Sequence, residues 1–598
     1  MNPNNIIQFV ECENFKSFNR LEQISFSQPS VLIGPNNSGK TTVLQALTLW
    51  NQGIRNWFQE KKHIKNAKNS GVGLNRLLIT QVPVKEVKYF WNNTKTKQGK
   101  DNIEIKITVG LWYNEEIKRC TLIMKYYNAE VVYMYPSEET FAIEGLVEYA
   151  ASLDVKILYP MSGITNQEFL LQRGAIDTYI GQGKTSEVLV NLCYKIYENS
   201  EADWKKVTDL MFKLFEVQLQ KPVFLEANGT VELKYNTKQM TGKNNGLDIS
   251  LSGRGQQEML LLIAYLYSHK KSVLLLDEPD AHLEILRQRQ VFALLKHLAS
   301  ENDNQIIIAT HSEVIANEAK NNLTLLVGGD VIDLTHNPQG QIRAFIEQYG
   351  MEHYYKAKLK KRILYVEGST DIDMLTAFAR KLNHPSQAIF EDTLYYFYTQ
   401  NVEDSPNLET DLARIGVNNY QIGQIHKQHF SIMKNAVSDF KGIALFDSDG
   451  RNKANEIEVQ KDFALVYWTR YELENYFVNP NTVFAFIEKT SKNEMILSKF
   501  KEIWDKQVLS RLFNGRQQLY QSYQNMDAVL QNFQFEQLMT TQKASQFLEQ
   551  FFESLSMETN TTPLLRKGNF YQLIPFMDLE NIDNEVVEKL DLIEQYLS

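Results

Sequence analysis

The run of residues 34–41 has the residue types and spacing needed to hold a phosphate group. It reads Gly-Pro-Asn-Asn-Ser-Gly-Lys-Thr, follows the apolar run 30–33 and precedes the apolar-rich run 43–50. A strand, a glycine loop and a helix in this order let backbone N–H groups surround phosphate oxygens. The lysine reaches the β and γ phosphates, and the hydroxyl of the first threonine can hold Mg²⁺. The candidate ATP ligands are Gly34, Asn37, Gly39, Lys40, Thr41 and Thr42.

Two later apolar runs end in residues suited to nucleotide hydrolysis. Residues 272–276 are followed by Asp277, which can order the Mg²⁺ shell, and by Glu278, which can polarise the attacking water. Residues 305–310 are followed by His311, which is suited to contact a γ phosphate. A lone histidine is more often structural, so its position 34 residues beyond Asp277 is what favours the functional interpretation.

The second half of the chain contains two further apolar runs that end in carboxylates. The first leads into Glu367 and Asp371, and the second ends in Asp447 and Asp449. Because the carboxyl ends of parallel strands gather at one edge of a sheet, we expect the four acids to crowd there. Alternation along the strand predicts that both aspartates point to the same side. Such crowded negative charge requires bound cations, and an all-oxygen ligand set favours Mg²⁺ or Mn²⁺.

Glu472 and Glu474 follow the last of these runs and are the candidates for an additional metal ligand. A second metal ion would require another acid, although both glutamates could equally be solvated helix residues. The sequence favours Glu474 only slightly, so the choice between them stays open. Asp-x-Asp-Gly is also a common turn, which makes either half of the carboxylate pattern weak by itself.

The composition indicates a protein of two or more domains. The chain has 598 residues, 43% of them hydrophobic and 23% charged, which is too long for one core and too apolar for disorder. Three widely spaced cysteines argue against a disulfide scaffold or a structural zinc site, and no run approaches the length of a membrane span. We therefore expect a cytoplasmic protein without a membrane partner. The net charge of −9 excludes a uniformly basic surface but permits a basic groove.

The patterning predicts an α/β protein with two domains, 1–335 and 356–598. Residues 102–113 and 119–135 alternate like paired strands, whereas 186–215 has helical spacing. We interpret the first domain as a strand-rich lobe with a helical insert at about 140–245 that carries a dimer contact. Asn337-Pro-Gln-Gly340 is the clearest turn between the domains.

Ser252 and Gly253 begin a segment that resembles the signature motif of ABC-type ATPases, with Arg254 inserted into the usual Ser-Gly-Gly-Gln spacing. With Asp280-Ala-His282, the whole set is similar to the ATPase heads of SMC-related proteins. The resemblance implies that Ser252 and Gly253 bind nucleotide across a homodimer or higher homo-oligomer of heads. The interval of 212 residues between Lys40 and Ser252 has no sustained heptads, so an SMC protein with a long coiled-coil arm is excluded.

The second half resembles a Toprim domain, in which Glu-Gly and Asp-x-Asp follow successive strands. The resemblance covers residues 361–476. An SMC-type ATPase followed by a Toprim domain with the Glu-x-Glu-Asn-Tyr element at 472–476 is similar to the OLD (overcoming lysogenisation defect) family of ATP-dependent DNA nucleases. The family uses a lysine near the carboxyl end to stabilise the transition state. Lys567 is the candidate for that role and Lys543 is its competitor.

The OLD resemblance implies two-metal hydrolysis of a DNA phosphodiester, regulated by ATP. The implied metal ligands are Glu367, Asp371, Asp447, Asp449 and one of Glu472 and Glu474. Members often act in bacterial defence against phage, some beside a helicase as in Gabija and some as the effector of a retron with its nucleic acid and reverse transcriptase. The sequence does not specify the partner, the DNA substrate or whether ATP activates cleavage.

Three other functions compete with the nuclease. A non-nucleolytic SMC-like clamp or sensor would use the nucleotide switch alone, and the intact Glu367 and Asp447 make it the less favoured alternative. A transporter ATP-binding subunit would need a separate membrane chain, and the second half argues against it. An ATP-driven topoisomerase is disfavoured because no region clearly supplies a tyrosine-bearing DNA-cleavage domain.

Overall fold

The computed structural model divides the chain into two compact units, Met1–Met351 (unit 1) and Glu352–Ser598 (unit 2). The division lies between the two predicted domains, and the turn predicted at 337–340 lies outside the described residues. The structure describes residues 5–62, 70–161, 167–237, 246–319, 322–327, 329–334, 346, 350–391, 395–399, 425–453, 456–491, 494–512 and 542–598.

The described part of unit 1 contains twenty strands and nine helices. The strands are β1 Ile7–Phe15, β2 Phe18–Ser25, β3 Ser30–Ile33, β4 Val72–Asn75, β5 Lys97–Gln98, β6 Asp101–Asn102, β7 Ile105–Tyr113, β8 Glu116–Tyr126, β9 Val131–Pro136, β10 Val155–Leu158, β11 Glu168–Phe169, β12 Val217–Leu219, β13 Val223–Leu225, β14 Thr230–Glu232, β15 Lys234–Thr237, β16 Leu247–Asp248, β17 Val273–Asp277, β18 Gln305–Thr310, β19 Leu323–Val327 and β20 Asp330–Asp333. The helices are α1 Lys40–Lys61, α2 Glu138–Ala142, α3 Leu146–Ser152, α4 Arg173–Gly181, α5 Leu189–Asn199, α6 Glu201–Phe215, α7 Arg254–Ser268, α8 Ile285–Glu301 and α9 Glu313–Ala319. Short 3-10 helices span Arg76–Leu78, Val87–Phe90, Asn92–Thr94, Thr185–Glu187 and Ile249–Leu251.

A six-stranded sheet in unit 1 carries the predicted nucleotide residues. Its order is β10-β17-β18-β3-β19-β20, parallel except for β20 at one edge. Every residue of β3, β17 and β18 is buried, as expected for strands covered on both faces. The parallel arrangement brings the carboxyl ends of these three neighbouring strands to the same edge.

Helix α1 joins this sheet to a second, antiparallel six-stranded sheet. The second sheet has the order β2-β1-β7-β8-β9-β4, so the pairing predicted for 102–113 and 119–135 is confirmed. Helix α1 contacts strands of both sheets, and Trp50 on it is fully buried and donates a hydrogen bond from Nε1 to the carbonyl of Cys120 at 3.0 Å. The helix that begins at the phosphate loop is therefore fixed by the core of unit 1.

The predicted helical insert differs from the structure in two respects. The helix expected at 186–215 is interrupted, because Ser200 has an extended backbone and caps α6 by accepting a hydrogen bond from Asp203 N. The region 140–245 also contains strands, including β10 of the parallel sheet. None of the helices in the described ranges is long and apolar enough to cross a bilayer.

The described part of unit 2 has five strands and eight helices, counting the helix that starts at Met351. The strands are β21 Arg362–Val366, β22 Tyr396–Tyr398, β23 Lys441–Phe446, β24 Glu458–Val459 and β25 Phe463–Tyr467. The helices are α10 Met351–Lys360, α11 Ser369–Leu382, α12 Gln387–Glu391, α13 Ile425–Ala436, α14 Pro480–Thr490, α15 Glu494–Leu512, α16 Ala544–Thr559 and α17 Asn584–Leu597. Further 3-10 helices span Leu473–Tyr476, Lys567–Phe576 and Leu579–Asn581.

The sheet of unit 2 positions the second set of predicted residues. Its order is β22-β21-β23-β25-β24, and only β24 is antiparallel. The short strand β22 pairs in parallel with β21, which places the segment 396–398 in the sheet although it lacks a glycine turn directly after it. Strands β21, β23 and β25 are adjacent, so the residues that follow them converge at one edge.

Phe378 on α11 tests the packing of unit 2, because its side chain is 0% exposed and contacts Phe477 edge-on with ring centroids 6.1 Å apart. Replacing it by alanine is expected to lower the free energy of unfolding by about 3–5 kcal/mol through lost burial and the resulting cavity. Urea unfolding followed by pulse proteolysis measures the change. Leu579→Ala, at a side chain 60% exposed, should change it by about 0.5 kcal/mol or less. Equal losses in the two variants would contradict this account of the core.

Candidate functional site

The phosphate loop of unit 1 requires glycine at two positions. Gly39 has φ +97°, and a Cβ there would lie 2.2 Å from the ring of Phe18. A Cβ on Gly34 would lie 2.2 Å from the carbonyl oxygen of Leu326. At these two positions a side chain would clash with neighbouring atoms. Glycine avoids the clash and leaves the loop N–H groups accessible to an anion.

The polar side chains of the loop also fit a nucleotide phosphate. Ser38 Oγ is buried and makes no hydrogen bond with the described residues. Lys40 Nζ donates to the carbonyls of Gly34 at 2.8 Å and Pro35 at 2.9 Å. Burial lowers the pKa of Lys40, while Glu278 and other nearby acids raise it. An unpartnered buried hydroxyl and a buried ammonium are groups that a phosphate oxygen would stabilise.

Thr41 and Asp277 form a pair that fits Mg²⁺. Thr41 Oγ1 lies 3.0 Å from each carboxylate oxygen of Asp277 and donates to them. Burial raises the pKa of Asp277 to about 6, although the hydrogen bond from Thr41 lowers it. A buried carboxylate beside a hydroxyl supplies the hard oxygen ligands that Mg²⁺ prefers. Thr42, the next residue, accepts a hydrogen bond from Ser17 Oγ at 3.3 Å.

Glu278 and His311, which follow neighbouring strands, lie in contact. His311 Nδ1 lies 3.2 Å from Glu278 Oε1, and Glu278 has φ +48°, which turns it away from the line of β17. Thr310 Oγ1 donates to the buried Asp280 Oδ1 at 2.7 Å. Neither residue was predicted as a nucleotide ligand, although Thr310 is next to His311 and Asp280 lies two residues after Glu278. They hold the segments after β17 and β18 together.

The segment at Ser252 is built differently from the phosphate loop. Ser252 is buried and its Oγ donates to the carbonyl of Ile249 at 2.7 Å, whereas Gly253 is exposed. The side chain of Gln257 donates to backbone carbonyls of the same segment, which fixes the start of α7. Leu251 beside it is 68% exposed. The predicted nucleotide ligands therefore lie in two places: Gly34 to Thr42 at the strand ends, and the buried Ser252 with the exposed Gly253 at the start of α7. Asn37 lies at the exposed tip of the phosphate loop with φ +64°.

In unit 2 the structure brings Glu367, Asp371 and Asp447 together. Asp447 N donates to Glu367 Oε1 at 3.1 Å, across the ends of β21 and β23. Asp371 Oδ2 accepts from the N–H groups of Glu367 and Gly368, each at 3.0 Å, at the start of α11. One oxygen of Asp371 is therefore used to fix the backbone that carries Glu367.

The expected orientation of the two aspartates is wrong. Strand β23 ends at Phe446, so neither aspartate obeys its alternation, and Asp449 has φ +50°. Asp447 is partly buried, whereas Asp449 is 51% exposed and donates from its N–H to the carbonyl of Tyr471 at 3.0 Å. Asp449 still lies close enough to raise the pKa of Glu367. The pair forms a turn in which one acid is internal and the other faces solvent.

Glu472 and Glu474 are both buried, but they have different surroundings. Glu472 Oε1 accepts from Ser545 N at 2.6 Å at the start of α16, and Glu472 also caps the 3-10 helix Leu473–Tyr476. Glu474 has no such capping role among the described contacts. Its pKa is raised to about 8 by burial and by the neighbouring Glu472. The structure thus favours Glu474 as the residue with oxygens available to a cation.

The five internal acids form one electrostatic cluster. Burial raises the pKa of Glu367, Asp371 and Asp447, and other members of the cluster raise each further. The charges of the other four acids all raise the pKa of Asp447, in decreasing order of effect Glu367, Asp371, Glu474 and Glu472. A donor set composed only of carboxylates fits a divalent cation, which would favour their ionised forms.

Lys543 and Lys567 both lie near this cluster. Lys543 Nζ is 3.8 Å from Asp449 and lowers the pKa of Glu367, while Lys567 lowers the pKa of Asp371 and of Glu474. Lys543 is about half exposed and Lys567 is exposed. Neither lysine is excluded by its position, and both can approach a negatively charged ligand.

The closest set of metal-type ligand atoms in the described residues lies elsewhere in unit 2. Among those residues, His384, Asp591 and Glu594 have ligand atoms within 4.8 Å of one another, which is tighter than the cluster around Asp447. Ser386 N donates to His384 Nδ1 at 3.2 Å, so Nε2 carries the proton and donates to Asp591 at 3.0 Å. A hydrogen-bonded pair accounts for this contact. The acids around Asp447 are more widely spaced than this set.

Comparison with a family model supports the nucleotide site. The model described as an AAA ATPase domain matches residues 6–144 and 182–316, which include the phosphate loop, Asp277, Glu278 and His311. Most of unit 1 is therefore similar to an ATPase domain, which agrees with the nucleotide site predicted from the sequence.

Curated relatives match only a short part of the chain. The dipeptide transport ATP-binding protein DppD of Caldanaerobacter subterraneus is 32% identical over 15% of this chain and 27% of its own length. The probable D,D-dipeptide transport ATP-binding protein DdpD of Escherichia coli is 26% identical over 17% of this chain and 33% of its own length. The chain spans a third or less of the length of these relatives.

Solved structures with partial similarity include heads of SMC proteins and RecF. An SMC head bound to the C-winged helix domain of ScpA is 15% identical, with a TM-score of 0.37, over 56% of this chain and 99% of that one. The SMC head of Thermotoga maritima has 17% identity and a TM-score of 0.29 over 55% and 99%. The recombination mediator RecF has 14% identity and a TM-score of 0.31 over 55% and 98%. With scores this low, the similarities carry no functional conclusion.

The raised pKa of Asp277 predicts a change of stability with pH. Because its pKa is raised from 3.8 to about 6 in the fold, ionisation destabilises the nucleotide-free protein, and stability falls as the pH rises between these values. Asp277→Asn should therefore raise the free energy of unfolding at pH 7.5 by about 1–3 kcal/mol while abolishing ATP hydrolysis. Thermal or urea unfolding at several pH values measures this.

The gain should shrink as the pH falls from 6 toward 4, because the wild-type carboxyl becomes protonated in the fold. Asp209→Asn, at an exposed position on α6, is the matched control and should leave stability and hydrolysis unchanged. A gain that does not depend on pH would contradict the assignment.

Proposed function

We propose that this protein is an ATP-regulated, metal-dependent DNA endonuclease of the OLD type, with a Toprim nuclease site in unit 2. The observation that carries the proposal is the gathering of Glu367, Asp371, Asp447 and Glu474 at the carboxyl ends of parallel strands, in a chain that also contains an ATPase domain. Buried acids with mutually raised pKa values are costly unless they bind cations. Two Mg²⁺ or Mn²⁺ ions would activate water and stabilise the leaving oxygen of a phosphodiester.

The acids have separate roles in this proposal. Glu367, Asp447 and Glu474 would hold the cations, with Asp449 at the solvent side. Asp371 and Glu472 would orient them, because Asp371 Oδ2 accepts from two backbone N–H groups at the start of α11 and Glu472 Oε1 accepts from Ser545 N at the start of α16. Either Lys543 or Lys567 would stabilise the negative charge of the transition state.

In unit 1, Lys40 and the loop N–H groups would bind the ATP phosphates, and Thr41 with Asp277 would hold Mg²⁺. Glu278, contacted by His311, would polarise the attacking water. Leu251 is 68% exposed beside Ser252, and Ile285 and Leu286 at the start of α8 are 65% and 70% exposed. These apolar side chains would form the contact between two heads, so that nucleotide occupancy alters a homodimer or higher oligomer.

DNA is the expected substrate, and a role in bacterial defence against phage follows from the family resemblance. The partner would be either a helicase, as in Gabija, or the nucleic acid and reverse transcriptase of a retron. The competing proposal is a non-nucleolytic clamp that uses only the ATPase. A clamp should bind no divalent cation at Glu367 and Asp447, so a Mn²⁺ titration of nucleotide-free protein separates the two.

Removing the central acids should abolish cleavage. Glu367→Gln and Asp447→Asn are each expected to slow Mg²⁺-dependent DNA cleavage by about 100-fold or more, since the metal supplies several kcal/mol of transition-state stabilisation. ATP hydrolysis should be retained, because its residues lie in unit 1. Plasmid nicking and phosphate release measure the two activities.

Glu488→Gln, at an exposed acid of α14, is the matched control and should cleave normally. Cleavage that survives both central substitutions would refute the nuclease site. Glu278→Gln should abolish ATP hydrolysis, which the two central substitutions should leave intact.

Metal affinity should depend on pH through Glu474. Its pKa is raised to about 8, so at lower pH a proton must be lost when the cation binds. Mn²⁺ affinity is therefore expected to rise by up to about tenfold per pH unit between pH 6 and 7 and to level off above pH 8. Isothermal titration calorimetry in two buffers of different ionisation enthalpy would also detect the released proton. Glu474→Gln should bind Mn²⁺ more weakly and with a flatter pH dependence; an unchanged profile would count against a ligand role.

A further inference from the structure

The segment 469–476, which carries Glu472 and Glu474, is tied directly to the turn that carries the aspartates. Three hydrogen bonds join them: Leu473 N to Asp447 Oδ1 at 3.1 Å, Asp449 N to Tyr471 O at 3.0 Å, and Ser448 Oγ to Arg470 O at 2.6 Å. A shift of this segment would move both groups of acids relative to each other. Whatever fixes the segment therefore fixes the spacing of the carboxylates.

Glu585, in the first turn of α17, holds one end of the segment. Its Oε2 accepts from the hydroxyls of Tyr476 and Thr469, and its Oε1 accepts from Thr469 N at 3.0 Å. Glu585 is only 13% exposed, and Lys589, 3.7 Å away and 12% exposed, balances its charge. Both oxygens of this carboxylate are thus used by residues 469 and 476, which are more than a hundred positions earlier in the chain.

Asp583, the residue that caps α17, holds the same segment through Arg470. The Arg470 guanidinium donates to Asp583 Oδ2 at 2.6 Å and to the carbonyl of Asn475 at 2.8 Å. It also lies over the ring of Tyr476, 4.7 Å from the centroid. Tyr476 OH in turn accepts from Arg470 N at 3.2 Å. The contacts form a closed network, so removing one member loosens the others.

We propose that Glu585, supported by Asp583, is a positioning residue for the carboxylate site: the start of α17 sets the spacing between Glu474 and Asp447 that a divalent cation requires. The inference rests on the proposed metal site and adds a residue outside the pattern of strand-end acids. Glu585 acts through Tyr476 and Thr469, because its own oxygens are occupied by their hydroxyl and N–H groups. Partners of this kind, one step removed from the metal, typically change metal affinity by about 10- to 100-fold.

The test measures Mn²⁺ binding by the nucleotide-free full chain, with the free ion detected by electron paramagnetic resonance. The relevant site is defined as the Mn²⁺ that Glu474→Gln fails to bind. Glu585→Gln replaces one acceptor oxygen by an NH₂ group that faces the donors of Thr469 and Tyr476. The affinity of this variant for Mn²⁺ should therefore fall by about 10- to 100-fold. Tyr476→Phe removes one of the donors and should show a smaller loss in the same direction. Glu588→Gln, at an exposed acid one turn along α17, should bind like the wild type.

Circular dichroism and the rate of ATP hydrolysis report whether each variant is folded. If Glu585→Gln does not fold, Tyr476→Phe provides the same test with a side chain of nearly equal volume. Affinity within twofold of the wild type in folded Glu585→Gln and Tyr476→Phe would overturn the inference, as would an equal loss in Glu588→Gln. Wild-type protein that binds Mn²⁺ through Glu474 but never cleaves DNA would refute the nuclease and leave the positioning role intact. Absence of any Mn²⁺ that depends on Glu474 would overturn both.

Discussion

Mutual repulsion among carboxylates at strand ends is the constraint on which both units depend. In unit 1, Asp277 ends strand β17 and Glu278 and Asp280 follow it, and burial raises the pKa of Asp277 and of Asp280. In unit 2, four neighbouring carboxylates raise the pKa of Asp447. Parallel strands bring such residues to one edge, and the fold must then offset the repulsion with hydrogen bonds, nearby lysines or cations. The same lysines and cations that would reduce this repulsion could also bind a phosphate group.

The two units hold their acids by different means. In unit 1, side chains on neighbouring strand ends pair directly, as in the contacts of Thr41 with Asp277 and of Thr310 with Asp280. In unit 2, backbone N–H groups do most of this work, with Asp371 and Glu472 accepting from the starts of α11 and α16. A carboxylate that caps a helix is favoured by the helix dipole and is costly to move. These acids are consequently suited to orient their neighbours.

Local patterns in the sequence predicted the residues that follow buried strands. The phosphate loop, Asp277, Glu278 and His311 could be found because each is adjacent to an apolar run, and strand order does the rest. The orientation of Asp449 could not be predicted, because the strand ends at Phe446 and a residue with φ +50° no longer obeys alternation. The break at Ser200 was missed because an apolar periodicity continues through it. Glu585 has no local signal at all, since its partners Thr469 and Tyr476 are brought to it only by tertiary packing.

The contacts of Lys40 with the carbonyls of Gly34 and Pro35 bear on how tightly and how fast a nucleotide can associate. An incoming triphosphate must exchange these two internal hydrogen bonds for its own, so part of the interaction free energy is spent on opening the loop. The observed dissociation constant then equals the intrinsic constant divided by the fraction of molecules in which the Lys40 ammonium has already left these carbonyls, so the observed affinity is lower. Because this lysine is already hydrogen-bonded within the loop, the site favours ligands that carry enough negative charge to displace both carbonyls together.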